Sequence, residues 1–112
     1  MTEAQIQQHI RLLSRGPVRL WRNNVGRLPD PRTGRLVSFG LAPGSADLIG
    51  WRTMVITPDM VGQRVAVFCS VEVKSARGRV RPDQAAWLAA VQSAGGIAGI
   101  ARSPEEAAAI LG

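Results

Sequence analysis

The chain has 112 residues, 46% hydrophobic and 20% charged, with a single cysteine and a formal net charge of +6. That is one folded domain's worth of sequence rather than a disordered tail, and the lone Cys69 excludes an internal disulfide or a cysteine metal cage. No apolar run reaches the roughly 20 residues of a membrane span, and a pI near 11.5 favours a polyanionic partner, nucleic acid above all.

An arginine-preferring codon usage would give the same charge, so charge supplies a partner class and no chemistry. The N-terminus "MTEAQIQQHI" lacks the basic-then-apolar pattern of a signal peptide. With the single cysteine, this points to the cytoplasm.

Taken in chain order, Thr2 and Gln5 form a capping box for a first helix. Ile6, Ile10 and Leu13, with Leu12 alongside, recur at helical spacing and predict one apolar stripe. "SRGP" (14–17) stops that helix. "VRLWRNNVG" (18–26) alternates as a strand does, "RLPDPRTGR" (27–35) is turn chemistry, and "LVSFG" (36–40) resumes an extended pattern. "ADLIGWRTMVIT" (46–57) is apolar and β-branched enough for a strand, and "PDMVGQ" (58–63) is a turn.

"RVAVFCSVEVK" (64–74) is the longest strand candidate, and "SARGRVRP" (75–82) a basic loop. Pro82 opens a helix over 83–95 that Gly95 and Gly96 close. "GIAGIA" (96–101) is a short buried strand. Ser103, Pro104 and Glu106 start a final helix to about Leu111. These elements predict one mixed-sheet α/β domain over 1–112, in the order α-β-β-β-α-β-α.

Lys74 is the only lysine among 14 basic residues, and it stands two positions after Glu72. In a strand, side chains two apart share a face, so Glu72 and Lys74 project together while Val71 and Val73 turn toward the core. Asp47 begins the preceding strand, after a Gly-Ser that permits close approach of backbone or ligand. If the two strands are neighbours, Asp47 and Glu72 lie side by side. Two carboxylates about 4 Å apart repel by roughly 4 kcal/mol at an effective dielectric near 20. A divalent cation with oxygen ligands relieves that better than Lys74 alone.

Such an ion polarises a phosphodiester, and a neighbouring amine can hold the attacking water or the developing charge. An isolated E-x-K is usually an ordinary ion pair on a solvent face. The company of Asp47, the basic loop and Gln84 shifts the balance.

The segments "GSADLIGW" (44–51), "VAVFCSVEVKSARGRVRPDQAAWLAAVQSAGG" (65–96) and "ARSPEEAAAIL" (101–111) resemble the VRR-NUC domains of the PD-(D/E)XK nuclease superfamily. The likeness extends to "TEAQIQQHI" and "VRLWRNNVG", and the chain looks like the small stand-alone form carried by phages and prophages. The resemblance implies a restriction-endonuclease-like mixed sheet flanked by helices. It implies Mg²⁺ or Mn²⁺ held by Asp47, Glu72 and the Val73 backbone carbonyl, with Glu3 of the first helix reaching the metal or its waters. Lys74 resembles the catalytic lysine, and Gln84 the glutamine that supports the site. Ala46 stands where the family usually has proline; proline is no ligand, so a slightly different turn with intact chemistry is expected.

The implied activity is structure-selective cutting of branched DNA, with Holliday-junction resolution by a homodimer. Two rivals are a non-cleaving nucleic-acid-binding module and a sequence-specific restriction-type nuclease. Arg77, Arg79 and Arg81 alternate in the basic loop and are candidates for phosphate contacts, a solvated loop being the rival reading. Glu3 can equally favour the helix dipole. His9 reads as a helix-surface residue. Trp87, Leu88 and Val91 read as core, and Trp21 and Trp51 as core or interface. Asp30, Asp59 and Asp83 read as turn or helix-start residues.

Overall fold

A computed structural model describes all 112 residues. The chain forms two compact units, Met1–Arg52 and Thr53–Gly112.

The first unit opens with α1 (Glu3–Arg11). Its capping box is formed as the sequence implies: Gln5 N–H donates to Thr2 Oγ1 at 3.2 Å and Thr2 N–H to Gln5 Oε1 at 2.8 Å. The apolar stripe is present on the helix, but Ile6, Ile10, Leu12 and Leu13 all remain exposed. Two antiparallel pairs follow. β1 (Val18–Arg22) runs against β4 (Leu48–Arg52), and β2 (Gly26–Pro29) against β3 (Leu36–Phe39). Trp21 and Trp51 pack with ring centroids 4.9 Å apart, tilted by 59°.

The β2–β3 hairpin departs from the sequence expectation, which gave 27–35 wholly to a turn. Only 30–35 turn the chain: Asp30 N–H donates to the Arg35 carbonyl and Gly34 N–H to the Asp30 carbonyl, both at 2.8 Å. Asp30 Oδ1 accepts the Arg32 N–H inside that turn. The single strand expected over 18–26 is interrupted at Asn23, whose side chain is taken up by bonds to another loop.

The second unit begins with residues 53–57 and a single 3₁₀ turn (Pro58–Met60), where Thr57 Oγ1 donates to Asp59. β5 (Cys69–Val73) and β6 (Ile97–Ala101) then pair in parallel, with Cys69 opposite Ile97 and Val73 opposite Ala101. A parallel pair needs a crossover, and α2 (Pro82–Ser93) provides it. Leu88 and Val91, one helical turn apart, are buried, Val91 completely; with Ala101 they form this unit's core. Trp87 is half-buried, donating Nε1–H to Ser70 Oγ at 2.7 Å and meeting Phe68 edge-on.

α3 (Pro104–Leu111) lies on β6. At Gly99 a Cβ would sit 2.8 Å from Ile110 Cδ1, so any larger residue there would make the Ile110 side chain shift. Ser103 Oγ caps the helix by accepting the Glu106 N–H at 3.1 Å.

The architecture is therefore mixed α/β, with small antiparallel and parallel pairs plus helices. The order is α-β-β-β-β-β-α-β-α: five strands precede α2, against three in the predicted order and four extended segments read along the chain. The long strands expected over 46–57 and 64–74 shrink to their ladder partners. β4 is as long as β1, and β5 as long as β6. Beyond the β5–β6 ladder one bond continues at each end, from Ile97 N–H to the Phe68 carbonyl at 2.9 Å and from Lys74 N–H to the Ala101 carbonyl at 3.0 Å. Val73 does not enter a core as expected: it closes β5 and is 75% exposed.

Candidate active site

The second unit assembles a charged cluster at the C-terminal end of β5. Glu72 lies in the strand opposite Ile100, and Lys74 follows its last residue. Ladder pairing continues one step into Lys74, whose N–H donates to the Ala101 carbonyl at 3.0 Å. The two-residue alternation therefore persists, and Glu72 and Lys74 meet: Lys74 Nζ stands 3.6 Å from Glu72 Oε1. Both side chains are largely shielded, at 18% and 29% exposure for Lys74 and Glu72. At 3.6 Å the pair is an ion contact rather than a tight hydrogen bond, so the ammonium keeps donors for another acceptor.

Gln84, in the first turn of α2, reaches the same carboxylate: its Nε2 donates to Glu72 Oε1 at 2.9 Å. Its Oε1 accepts the Arg81 backbone N–H at 3.0 Å. Because that partner can only donate, the orientation of the amide is fixed by chemistry, and Nε2 must face Glu72. This is half of a capping box. Arginine at the N-cap cannot accept the reciprocal bond, and Asp83 Oδ1 takes the Gln84 N–H instead, at 3.0 Å.

The basic loop follows directly. Gly78 N–H donates to the Ser75 carbonyl at 3.1 Å, closing a turn, and Arg77 and Arg79 are exposed on it. Arg81 differs from both, because its Nε donates to Asp83 Oδ1 at 3.1 Å. That bond, backed by the opposite charge, holds the Asp83 carboxyl below the usual carboxylate range and raises the Arg81 guanidinium.

Asp47 and Glu3 belong to the first unit and are both exposed there. Glu3 is the first residue of α1, where a carboxylate complements the helix dipole. Asp47 immediately precedes β4, and its carbonyl accepts the Asn23 N–H at 2.8 Å. Gly44 before it has φ +81° with nothing within 4 Å of where a Cβ would stand. The glycine therefore serves a left-handed turn, and no backbone approaches it closely.

Asn23 is the residue that sequence reasoning missed. Its Nδ2 donates to Ser45 Oγ at 2.7 Å and to the Ala46 carbonyl at 2.9 Å, while its Oδ1 accepts the Leu41 N–H at 2.9 Å. One side chain thus organises the loop that delivers Asp47. The signal available was an Asn-Asn pair between two strand patterns, which reads only as a generic turn.

No three His, Cys, Asp or Glu side chains converge into a ready-made metal cage. A hard cation such as Mg²⁺ does not need one. It keeps several waters and is commonly bound through one or two carboxylates. Glu72 and the Val73 carbonyl are oxygen donors of that kind, and Glu72 Oε1 already faces both Lys74 and Gln84.

An acid and an amine thus stand at a strand end of an α/β protein, with an anchored amide behind the acid. The chain belongs to the VRR-NUC domain family, which matches residues 1–105, and with it to the PD-(D/E)XK nuclease superfamily. It is thus a nuclease-type domain. No curated protein sequence and no solved structure matches it. No helix is long and apolar enough to cross a membrane.

Proposed function

We propose that residues 1–112 form a single Mg²⁺- or Mn²⁺-dependent endodeoxyribonuclease domain that cuts branched DNA, Holliday junctions among its substrates, in the DNA processing of a phage or prophage within a bacterial cytoplasm. The observation that carries this reading is the Glu72–Lys74–Gln84 cluster, in which one carboxylate oxygen meets an ammonium and an oriented amide. Family membership makes the reaction class a nuclease's.

Asp47, Glu72 and the Val73 carbonyl would hold the metal, and Glu3 would reach it or its waters. When bound, the ion polarises the scissile phosphodiester and makes a bound water more acidic. Gln84 restrains Glu72 by holding the same carboxylate oxygen that faces Lys74. Lys74 Nζ–H donates to the phosphate oxygen that gains charge as water attacks and the P–O bond to the leaving strand breaks. A guanidinium in its place would be bulkier and planar, unable to act as a compact donor between strand and substrate. Arg77 and Arg79, with Arg81 contributing less because Asp83 engages it, contact flanking phosphates.

A resolvase makes paired cuts in two strands, so two copies of the site are needed and a twofold homodimer supplies them. The large exposed apolar side chains, Leu12, Leu13, Val55 and Ile56 among them, suit burial against a second copy.

The experiment is cleavage of labelled four-way, flap, splayed and linear DNA with Mg²⁺, Mn²⁺ or EDTA, using Glu72→Ala as the control. Metal-dependent cutting of the junction in preference to plain duplex is expected. Full cleavage by a pure Glu72→Ala protein would remove the proposed site. Binding without cleavage would favour the non-cleaving module, and cutting of plain duplex at a fixed sequence the restriction-type reading.

A further inference from the structure

Residues 75–81 carry three arginines close behind Lys74. A short loop with that much like charge has little means of ordering itself, and its one internal turn is the Ser75–Gly78 bond. Its order comes from outside the loop. Arg102, the residue after β6, places Nη1 2.5 Å from the Ser75 carbonyl oxygen, 2.8 Å from that of Gly78 and 3.5 Å from that of Ala76. The first two are charge-assisted hydrogen bonds, and the third is at the limit of one.

Arg102 is itself held in place. Its N–H donates to Glu106 Oε2 at 2.8 Å, and the neighbouring Ala101 carbonyl accepts the Lys74 N–H at 3.0 Å. One dipeptide step, Ala101–Arg102, therefore secures both the backbone of Lys74 and the turn that follows it. The carbonyl oxygens so engaged carry partial negative charge, which would oppose a phosphate if left facing it.

We propose that Arg102 is a positioning residue for DNA: by binding the carbonyls of Ser75 and Gly78 it fixes the 75–79 turn and holds Arg77 and Arg79 beside Lys74 to grip the phosphate backbone. This rests on the nuclease reading above. Arg102 itself touches no substrate and acts through the two loop arginines.

The test compares Arg102→Ala, Arg102→Lys and Arg102→Gln, with a labelled four-way junction as substrate and amide hydrogen exchange across 75–79 as a second readout. Arg102→Ala should raise KM roughly 5- to 20-fold while kcat changes less than about threefold, and loop exchange should quicken about tenfold or more. Arg102→Lys, whose ammonium can donate to the same carbonyls, should recover most of both. Placed on an Arg77→Ala/Arg79→Ala background, Arg102→Ala should add less than about twofold, since its effect runs through those side chains.

Unchanged loop exchange and KM would overturn the proposal, as would a full additional loss on the double-variant background. If Arg102→Ala does not fold, Arg102→Gln against Arg102→Lys decides by the same readouts. If the wild-type protein cuts no DNA, the nuclease reading alone fails. Loop exchange and the Kd for the uncut junction then decide the role of Arg102.

Discussion

Gln84 Nε2 donates to Glu72 Oε1 across 2.9 Å, on the same oxygen that faces Lys74 Nζ at 3.6 Å. The carboxylate is thus set by one amide from α2 and one ammonium from its own strand. Gln84→Ala should lower kcat/KM about tenfold by freeing Glu72 to turn. Gln84→Glu should cost more, about 100-fold, because two carboxylates within 4 Å repel by roughly 4 kcal/mol at an effective dielectric near 20. Steady-state cleavage of the four-way junction measures both, and equal activity in the two variants would refute the orienting role.

Lys74 is the sole lysine in a chain that otherwise uses arginine for positive charge. If charge alone mattered, Lys74→Arg would be silent. A compact donor role predicts instead that Lys74→Arg loses about 10²- to 10⁴-fold in kcat, the scale of removing one donor from a developing oxyanion or more. Junction binding measured in EDTA should stay within about threefold. Single-turnover rates with saturating enzyme separate the two quantities.

Asn23 joins Leu41, Ser45 and Ala46 through its side chain and Asp47 through its backbone. Asn23→Ala strands those partners and should destabilise the protein by about 1–3 kcal/mol, read from urea denaturation. Asn23→Asp keeps the acceptor for Leu41 N–H but turns a carboxylate toward the Ala46 carbonyl, so it should be no better tolerated. Both should impair cleavage if the loop they loosen delivers a metal-binding Asp47. Normal cleavage by a folded Asn23→Ala protein would count against that part for Asp47.

The periodic and capped elements were legible in the sequence because their signals are local. Thr2 with Gln5 and Ser103 with Glu106 announce helix starts by chemistry that the structure shows bonded, and Pro82 marks the start of α2 by its fixed φ. The E-x-K spacing likewise placed Glu72 and Lys74 together, since strand alternation alone dictates it. Strand lengths were not legible. Val65, Val67, Val55 and Ile56 have strand character, yet β5 and β4 stop where β6 and β1 stop, a limit set by distant partners. Asn23 and Arg102 were invisible for the same reason: each acts on carbonyls about 20 or more positions away. A polar side chain's backbone partner leaves no periodic trace.

Asp83 offers the pH-dependent prediction. Its carboxyl is held below the ordinary range, first by the hydrogen bond from Arg81 and then by that residue's charge and the Gln84 N–H, against an opposing effect of desolvation. In the unfolded chain Arg81 no longer holds it, so the unfolded state binds the proton more readily. The contribution of Asp83 is therefore complete above the unfolded carboxylate value and is lost as pH falls through the lower folded one. Arg81→Ala should move the Asp83 titration midpoint, followed through its carboxyl resonance by NMR, upward toward the ordinary range and flatten that window of acid stability. The same substitution should alter the salt dependence of junction binding less than Arg77→Ala or Arg79→Ala, each of which should reduce the slope by about one. A larger slope change for Arg81→Ala would mean that DNA displaces Asp83 and recruits the guanidinium after all.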